Sequence, residues 1–167
     1  MDRDLKLVML DTNYCDYLRK YDDKVPYNMG TKDLRPFVGI LFNVDGCLYF
    51  APLSSPKPKH LKLKDNIDFL RLDEGQLGAV NFNNMLPVYE KNIKYIDLDY
   101  ETNDIRDKKY KILLKKQLFW LNRHSNRLFR MSKFLYDGYV MGNLKENIIN
   151  RCCNFPLLEK KCKEYNK

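Results

Sequence analysis

Two adjacent hydroxyls and two lysines fall within one ten-residue segment, Ala51-Pro52-Leu53-Ser54-Ser55-Pro56-Lys57-Pro58-Lys59-His60. Ser54 and Ser55 can donate to the non-bridging oxygens of a phosphate, and Lys57 and Lys59 can neutralise charge that grows on a phosphorane. Pro52, Pro56 and Pro58 restrict the backbone between them, so positioning those side chains costs little entropy. His60 closes the segment with an imidazole whose ordinary pKa, about 6.5, suits a general acid or base near neutral pH. The same residue types also make a plain turn with its lysines in water, and a histidine there can equally cap or pack, so the segment alone leaves both readings open.

A second stretch carries binding chemistry. Between Arg106 and Lys133 stand ten basic residues, with Asp107 as the one acid, and Tyr110, Phe119 and Trp120 lie among them. Cations pair with phosphates and rings stack on unpaired bases, a combination that suits RNA; the alternative is a solvated helix face whose aromatics face the core. His124, late in the same helix between Arg123 and Ser125, reads as a surface residue or a passive phosphate contact. Other catalytic signatures are missing: no GxGxxG, P-loop, GxSxG, HExxH or Cys/His cluster occurs. The five cysteines (Cys15, Cys47, Cys152, Cys153 and Cys162) contain no CxxC spacing and only two histidines accompany them, so neither a zinc site nor a disulfide framework is expected. Reduced thiols acting as small hydrophobes fit better, with no metal and no cofactor.

The elements that must hold these groups follow from the pattern of the chain. With 167 residues a single domain over 1–167 is expected, and 44% hydrophobic with 13% aromatic residues is enough for a core. Thirty Lys plus Arg against twenty-two Asp plus Glu give a net charge of +8, which favours polyanionic partners. No apolar run approaches the roughly 18 residues that cross a bilayer, and Met1-Asp2-Arg3-Asp4 leads into no signal-peptide core, so a cytoplasmic protein with no membrane partner is expected.

Leu5 to Leu10 reads as a strand, and Asp11 or Thr12 caps a helix with Tyr14, Tyr17, Leu18 and Tyr21 on one face, ending near Asp22-Asp23. Lys24 to Leu34 reads as a loop. Phe37–Val44 and Cys47–Ala51 form a hairpin across Asp45-Gly46, and Pro52 to Lys64 reads as a Pro/Lys loop. Asp68–Leu72, Gly78–Phe82, Leu86–Tyr89 and Lys94–Leu98 add short strands whose tight connections require antiparallel pairing. From Arg106, Tyr110, Leu114, Leu118 and Leu121 mark a long basic amphipathic helix; Ser132–Val140 forms another, interrupted by Gly138 and Gly142, and Asn154 with Pro156 opens a last one through about Tyr165. The fold class is α+β.

Three segments resemble the ToxN/AbiQ family of type III toxin–antitoxin endoribonucleases: Arg35-Pro36-Phe37-Val38-Gly39-Ile40, Tyr49-Phe50-Ala51-Pro52-Leu53-Ser54-Ser55-Pro56-Lys57 with His60, and Val80-Asn81-Phe82-Asn83-Asn84-Met85-Leu86-Pro87-Val88. Tyr14, Tyr17-Leu18, Asp22-Asp23-Lys24-Val25-Pro26 and Cys153-Asn154-Phe155-Pro156-Leu157-Leu158-Glu159 are similar to its two ends, so the resemblance covers nearly the whole chain. It implies a compact, strongly curved antiparallel sheet related to the Kid/MazF-like toxin core, with surrounding helices. It implies metal-independent cleavage of A-rich cellular or phage RNA, and silencing by a small repeated non-coding RNA, folded as pseudoknots, in a ring-like protein–RNA complex. Release of the toxin during phage infection would halt growth of the host.

By position, the resemblance makes Ser54 and Ser55 the hydroxyl pair of the active site, Lys57 its lysine and Tyr14 its first-helix tyrosine. Arg35 stands where relatives often have lysine, which keeps the charge and changes its geometry. Lys59, His60 and Lys32 join Lys115, Lys116 and Arg123 as RNA-binding residues; Lys32 lies in the loop that aligns poorly with the family. The implied reaction is attack of the RNA 2′-hydroxyl on the adjacent phosphate. Ser55 would hold that phosphate, Lys57 and Arg35 would stabilise the transition state, and Tyr14 or His60 would help to move protons. Two other classes compete with it: a non-catalytic RNA-binding module and a DNA-binding regulator with a basic recognition helix.

Overall fold

The structure, a computed structural model, describes residues 4–26 and 35–167. The predicted loop residue Lys32 lies outside the described residues. The first strand, β1 (Lys6–Leu10), buries Leu7, Val8 and Leu10. It leads into α1 (Thr12–Arg19), which Asp11 caps by accepting the Tyr14 N–H at 3.1 Å. That helix stops before the predicted end. The predicted single strand Phe37–Val44 is divided into β2 (Phe37–Gly39) and β3 (Asn43–Val44), which pair with different halves of β4 (Cys47–Ser54), and β3 with β4 forms the expected turn. Asp45 and Gly46 both take positive φ, 49° and 89°, the two left-handed residues that match the twist of a two-residue hairpin turn.

Every pairing in the described eight-stranded sheet is antiparallel, in the order β5-β6-β4-β2-β1-β8, with β5 (Phe69–Arg71), β6 (Ala79–Asn81) and β8 (Ile93–Tyr95). β4 is the strand on which the others converge. Its first half pairs with β3 and with β7 (Leu86–Val88), and its second half with β2 and β6. Pro52 in the middle of this strand corrects the predicted loop from Pro52 to Lys64. The Leu53 N–H donates to Pro36 O at 2.9 Å, so alternation turns the missing N–H of Pro52 to the opposite side. On that side β4 passes from β7, whose pairing ends at Phe50, to β6, whose pairing starts at Leu53, and no ladder bond is lost.

The helical half holds α2 (Pro58–Lys62), α3 (Ile105–Arg123), α4 (Ser125–Met141), α5 (Glu146–Arg151) and α6 (Phe155–Tyr165). Neither α2 nor α5 was predicted; each has six residues or fewer, too few for a helical period to show. The stretch Arg106–Lys133 is two helices meeting at His124, so α4 begins seven residues before the expected Ser132. Gly138 does not interrupt α4: a Cβ there would lie 2.6 Å from the Leu144 side chain, so glycine provides close packing. Gly142, at φ 71°, ends the helix. Behind the sheet, Phe42, Tyr49, Tyr136 and Phe155 pack ring on ring, and the Glu159 carboxylate accepts from the Tyr49 hydroxyl at 2.5 Å and the Tyr136 hydroxyl at 2.7 Å. All five cysteines are buried and held as thiols, outside any disulfide.

Candidate active site

Ser54 ends β4 half-buried, and Ser55, Lys57 and Lys59 follow it into solvent. The pairings Phe37↔Pro52 and Val38↔Ala51, continued through the Leu53–Pro36 bond, bring half-buried Arg35 beside Ser54. On the other flank Ala79 faces Ser54, and the Asn81 side chain donates its Nδ2–H to Ser54 Oγ at 3.3 Å. The end of the central strand therefore carries two adjacent serines, with the Asn81 amide on the Ser54 hydroxyl, Arg35 in register beside it and Lys57 three residues on. Phosphate recognition needs such a set: neutral donors to fix the oxygens and cations to match their charge.

Glycine makes the close approach possible. Gly78 sits at φ 100° with its backbone against the serines, and a Cβ would fall 1.9 Å from Ser54 O and 3.2 Å from the Ser55 carbonyl carbon. Gly75, at φ 95°, lets the 3-10 turn at Asp73–Gly75 press on α2, since a Cβ there would meet His60 O at 2.4 Å. Arg71 closes the same junction, placing its guanidinium between Asp65, 3.2 Å from Nε, and the backbone oxygens of His60 and Glu74.

His60 is only 2% exposed and accepts the Lys57 N–H on Nδ1 at 3.1 Å, so its neutral form carries the proton on Nε2. Burial first, then the charges of Lys59 and Lys57, lower its pKa from the ordinary value. The RNA contact expected of it is thus corrected: an imidazole with so little surface positions Lys57 and the start of α2 instead of reaching a ligand.

Tyr14 is also corrected. It is fully buried and donates its hydroxyl to Pro87 O at 2.5 Å, beside the ring of Tyr165; burial pushes its pKa far up. Pro87 is paired with Tyr49, five residues before Ser54 on β4, so this hydroxyl braces the core and does not join the serines.

Asn81 was not singled out from the sequence, and it belongs to a set. The three asparagines of Asn81-Phe82-Asn83-Asn84 each fasten a different segment. Asn81 holds Ser54, Asn83 donates to Asp68 Oδ2 at 3.0 Å, and Asn84 donates to Lys24 O at 2.9 Å. Asp68 is buried, which raises a carboxyl pKa, but hydrogen bonds from Arg151 at 2.8 and 3.1 Å and from Asn83 outweigh that and hold it low. Three amides clustered within four residues was the available signal, and only the fold shows what they reach.

Lys115, Lys116 and Arg123 are exposed on α3, which Gln117 fastens to the sheet side by donating to Leu77 O at 2.8 Å. With Asp73 and Gln76 opposite, they border an open groove of about 840 Å³. The turn at Asp73–Gly75 forms that wall and packs its other side on α2, so the groove and the serine segment are neighbours. Among the described residues no group of three or more His, Cys, Asp or Glu is placed to hold a metal ion, and no helix is long and apolar enough to cross a membrane.

An antiparallel sheet whose central strand ends in two serines flanked by Arg35, Asn81 and Lys57 is the frame of the candidate site. Residues 6–163 match the model of the ToxN toxin of type III toxin–antitoxin systems, and the chain belongs to that family. It is 37% identical to the endoribonuclease ToxN of Bacillus thuringiensis subsp. kurstaki over 96% of this chain and 84% of that protein. It is 31% identical to the ToxN of Pectobacterium atrosepticum over 98% and 95% of the two chains, and 27% identical to the endoribonuclease AbiQ of Lactococcus lactis subsp. lactis over 98% and 90%. A solved type III toxin that is selectively inhibited by a non-coding RNA pseudoknot superimposes with a TM-score of 0.84, at 34% identity and 99% coverage of both chains. The structure of AbiQ, a lactococcal anti-phage endoribonuclease of the same system type, superimposes with a TM-score of 0.83 at 25% identity, over 98% of this chain and 99% of that one.

Proposed function

We infer that this protein is an endoribonuclease, the toxin of a type III toxin–antitoxin system, held inactive by a non-coding RNA antitoxin that folds as a pseudoknot, and that it serves in anti-phage defence. The near full-length match to ToxN and AbiQ carries this reading. The cluster at the end of β4 supports a specific chemistry. The RNA 2′-oxygen attacks the adjacent phosphorus, the P–O5′ bond breaks, the 2′-hydroxyl proton is released and the departing 5′-oxygen gains one. The products are a 2′,3′-cyclic phosphate and a 5′-hydroxyl.

Ser55 holds the scissile phosphate through its hydroxyl, with Ser54 beside it oriented by Asn81. Lys57 and Arg35 match the charge of the dianionic transition state, which is worth more there than in the ground state because the charge grows during the reaction. The nucleophile belongs to the substrate, so the route requires neither an activated water nor a metal. Lys59 extends the cationic surface away from the cut.

Substrates on this reading are A-rich stretches of cellular or phage RNA in the cytoplasm. Lys115, Lys116 and Arg123 contribute charge to the antitoxin surface, and alternating protein and RNA close a ring. The 167 residues act as one unit, and the sheet converging on β4 supports kinship with the Kid/MazF toxin core. Incubation of the purified protein with A-rich RNA in EDTA tests the chemistry: defined cuts with cyclic-phosphate and 5′-hydroxyl ends are expected, whereas 3′-hydroxyl and 5′-phosphate ends rule the route out. Binding without cuts would make the protein a non-catalytic RNA-binding module.

A further inference from the structure

The last turn of α3 carries more than charge. Trp120 and His124 are stacked at 3.8 Å between centroids and 19° between planes, a single flat slab on the wall of the groove. His124 Nδ1 lies 2.7 Å from Trp120 O, so that nitrogen carries a proton and donates it, which pins the ring. Beside the slab Phe119 is 65% exposed, with the Arg123 guanidinium 5.6 Å from its centroid. Lys115 and Lys116 stand one turn earlier.

Trp120 packs partly on the core, but a charged helix face needs no exposed ring, and Phe119 beside the Trp120–His124 stack makes a small apolar patch rimmed by cations, the arrangement of a binding surface. Flat apolar faces flanked by cations fit a ligand that is itself flat and carries a phosphate on either side. We propose that this groove is a stacking subsite for one unpaired nucleotide of RNA, its base against the Trp120–His124 slab or Phe119 and its phosphates on Lys115, Lys116 and Arg123. The subsite rests on the endoribonuclease reading and adds recognition of a base to it. Only the turn at Asp73–Gly75 separates the groove from the helix that follows the serines, so a strand lying across the serine cluster can continue past that turn and set a base of its flanking segment there. Paired RNA cannot, because its bases are stacked on one another.

Trp120 is the one tryptophan of the chain, so emission excited selectively at tryptophan, beyond the absorption of the tyrosines, reports on this groove alone. The Ser55→Ala protein is titrated with an eight-nucleotide A-rich RNA, with the same strand bearing abasic riboses, and with the folded antitoxin repeat. Binding is followed in parallel by anisotropy of the labelled RNA. Saturable quenching by the base-bearing strand or the antitoxin, with the anisotropy midpoint, is expected, and the RNA that quenches identifies the source of the base. The abasic strand should bind without quenching. Trp120→Leu and His124→Ala should each weaken the quenching RNA roughly ten- to a hundredfold and leave the abasic strand unchanged. RNA that binds with no change in Trp120 emission, or equal losses for abasic and base-bearing strands, overturns the subsite and leaves the endoribonuclease intact. A protein that binds no RNA at all overturns both.

Discussion

The end of β4 and the last turns of α3 are both suited to phosphate, and they are built in opposite ways. At the end of β4, backbone packs against backbone with no room for one extra carbon at Gly78, and the neighbouring histidine is sealed in with its Nδ1 occupied. On α3 the cations are long, exposed and loosely tied; Lys115, for example, reaches Asp99 only at 3.9 Å, with that carboxylate almost wholly in water. A reacting phosphate must be held to within a fraction of an ångström, whereas a folded RNA needs only enough positive charge along its path. Placement decides the first region. Charge count decides the second.

Substitutions can break this contrast, and the largest effect is expected from the smallest change. Gly78→Ala forces a methyl group onto the Ser54 carbonyl at a φ that disfavours any side chain, so cleavage should be lost along with several degrees of melting temperature, read by a cleavage assay and a thermal scan. Lys57→Ala removes an exposed cation from the rigid region; kcat should fall by about 10²–10³ with folding unchanged, the magnitude typical of losing one group that meets transition-state charge. Lys115→Gln and Lys116→Gln remove cations from the loose region and should leave kcat on short strands near normal, while each lowers the slope of log affinity for RNA against log salt by about 1. Asn81→Ala sharpens the contrast within the rigid region: Ser54 keeps its hydroxyl and loses its guide, and cleavage should fall about tenfold, the price of one neutral hydrogen bond of about 1 kcal/mol.

The smallest effect is a pH dependence. Burial with Lys59 and Lys57 holds His60 below its ordinary pKa, so the unfolded chain takes up the proton first as the pH falls through about 6.5. The stabilisation from neutral His60 is complete above that pH and is lost below it, until the folded histidine also protonates. The melting temperature should therefore fall between pH 7 and pH 5, and His60→Gln should flatten that part of the fall. Glutamine can still accept the Lys57 N–H, as the third residue of a capping box does.

Legibility in the sequence divides along the same line. The hairpin at Asp45-Gly46 and the cap at Asp11 are local decisions, written in a few adjacent residues, and the structure has both. Ser54, Ser55 and Lys57 were visible because prolines crowd around them. What could not be read is what other segments bring: Asn81 lies 27 positions from the serine it holds, and Gly78 matters only because β6 lies against β4. Tyr14 misled for the same reason, since a tyrosine on a helix face looks alike whether its hydroxyl meets a substrate or the Pro87 carbonyl. The helix break at His124 was hidden because leucines continue at helical spacing on both sides of it, as Leu121 and Leu128 do.

One pair of numbers on one variant tests the division of labour most directly: the rate at which the Ser55→Ala protein cuts A-rich RNA, and its affinity for the folded antitoxin RNA in the same buffer. Ser55 contributes a neutral hydroxyl at the end of β4 and no charge to α3. Cleavage should fall by at least about a hundredfold and the antitoxin Kd should stay within about twofold, since no phosphate-neutralising cation is lost. Near-normal cleavage, or a loss of affinity in step with the loss of rate, would contradict the account.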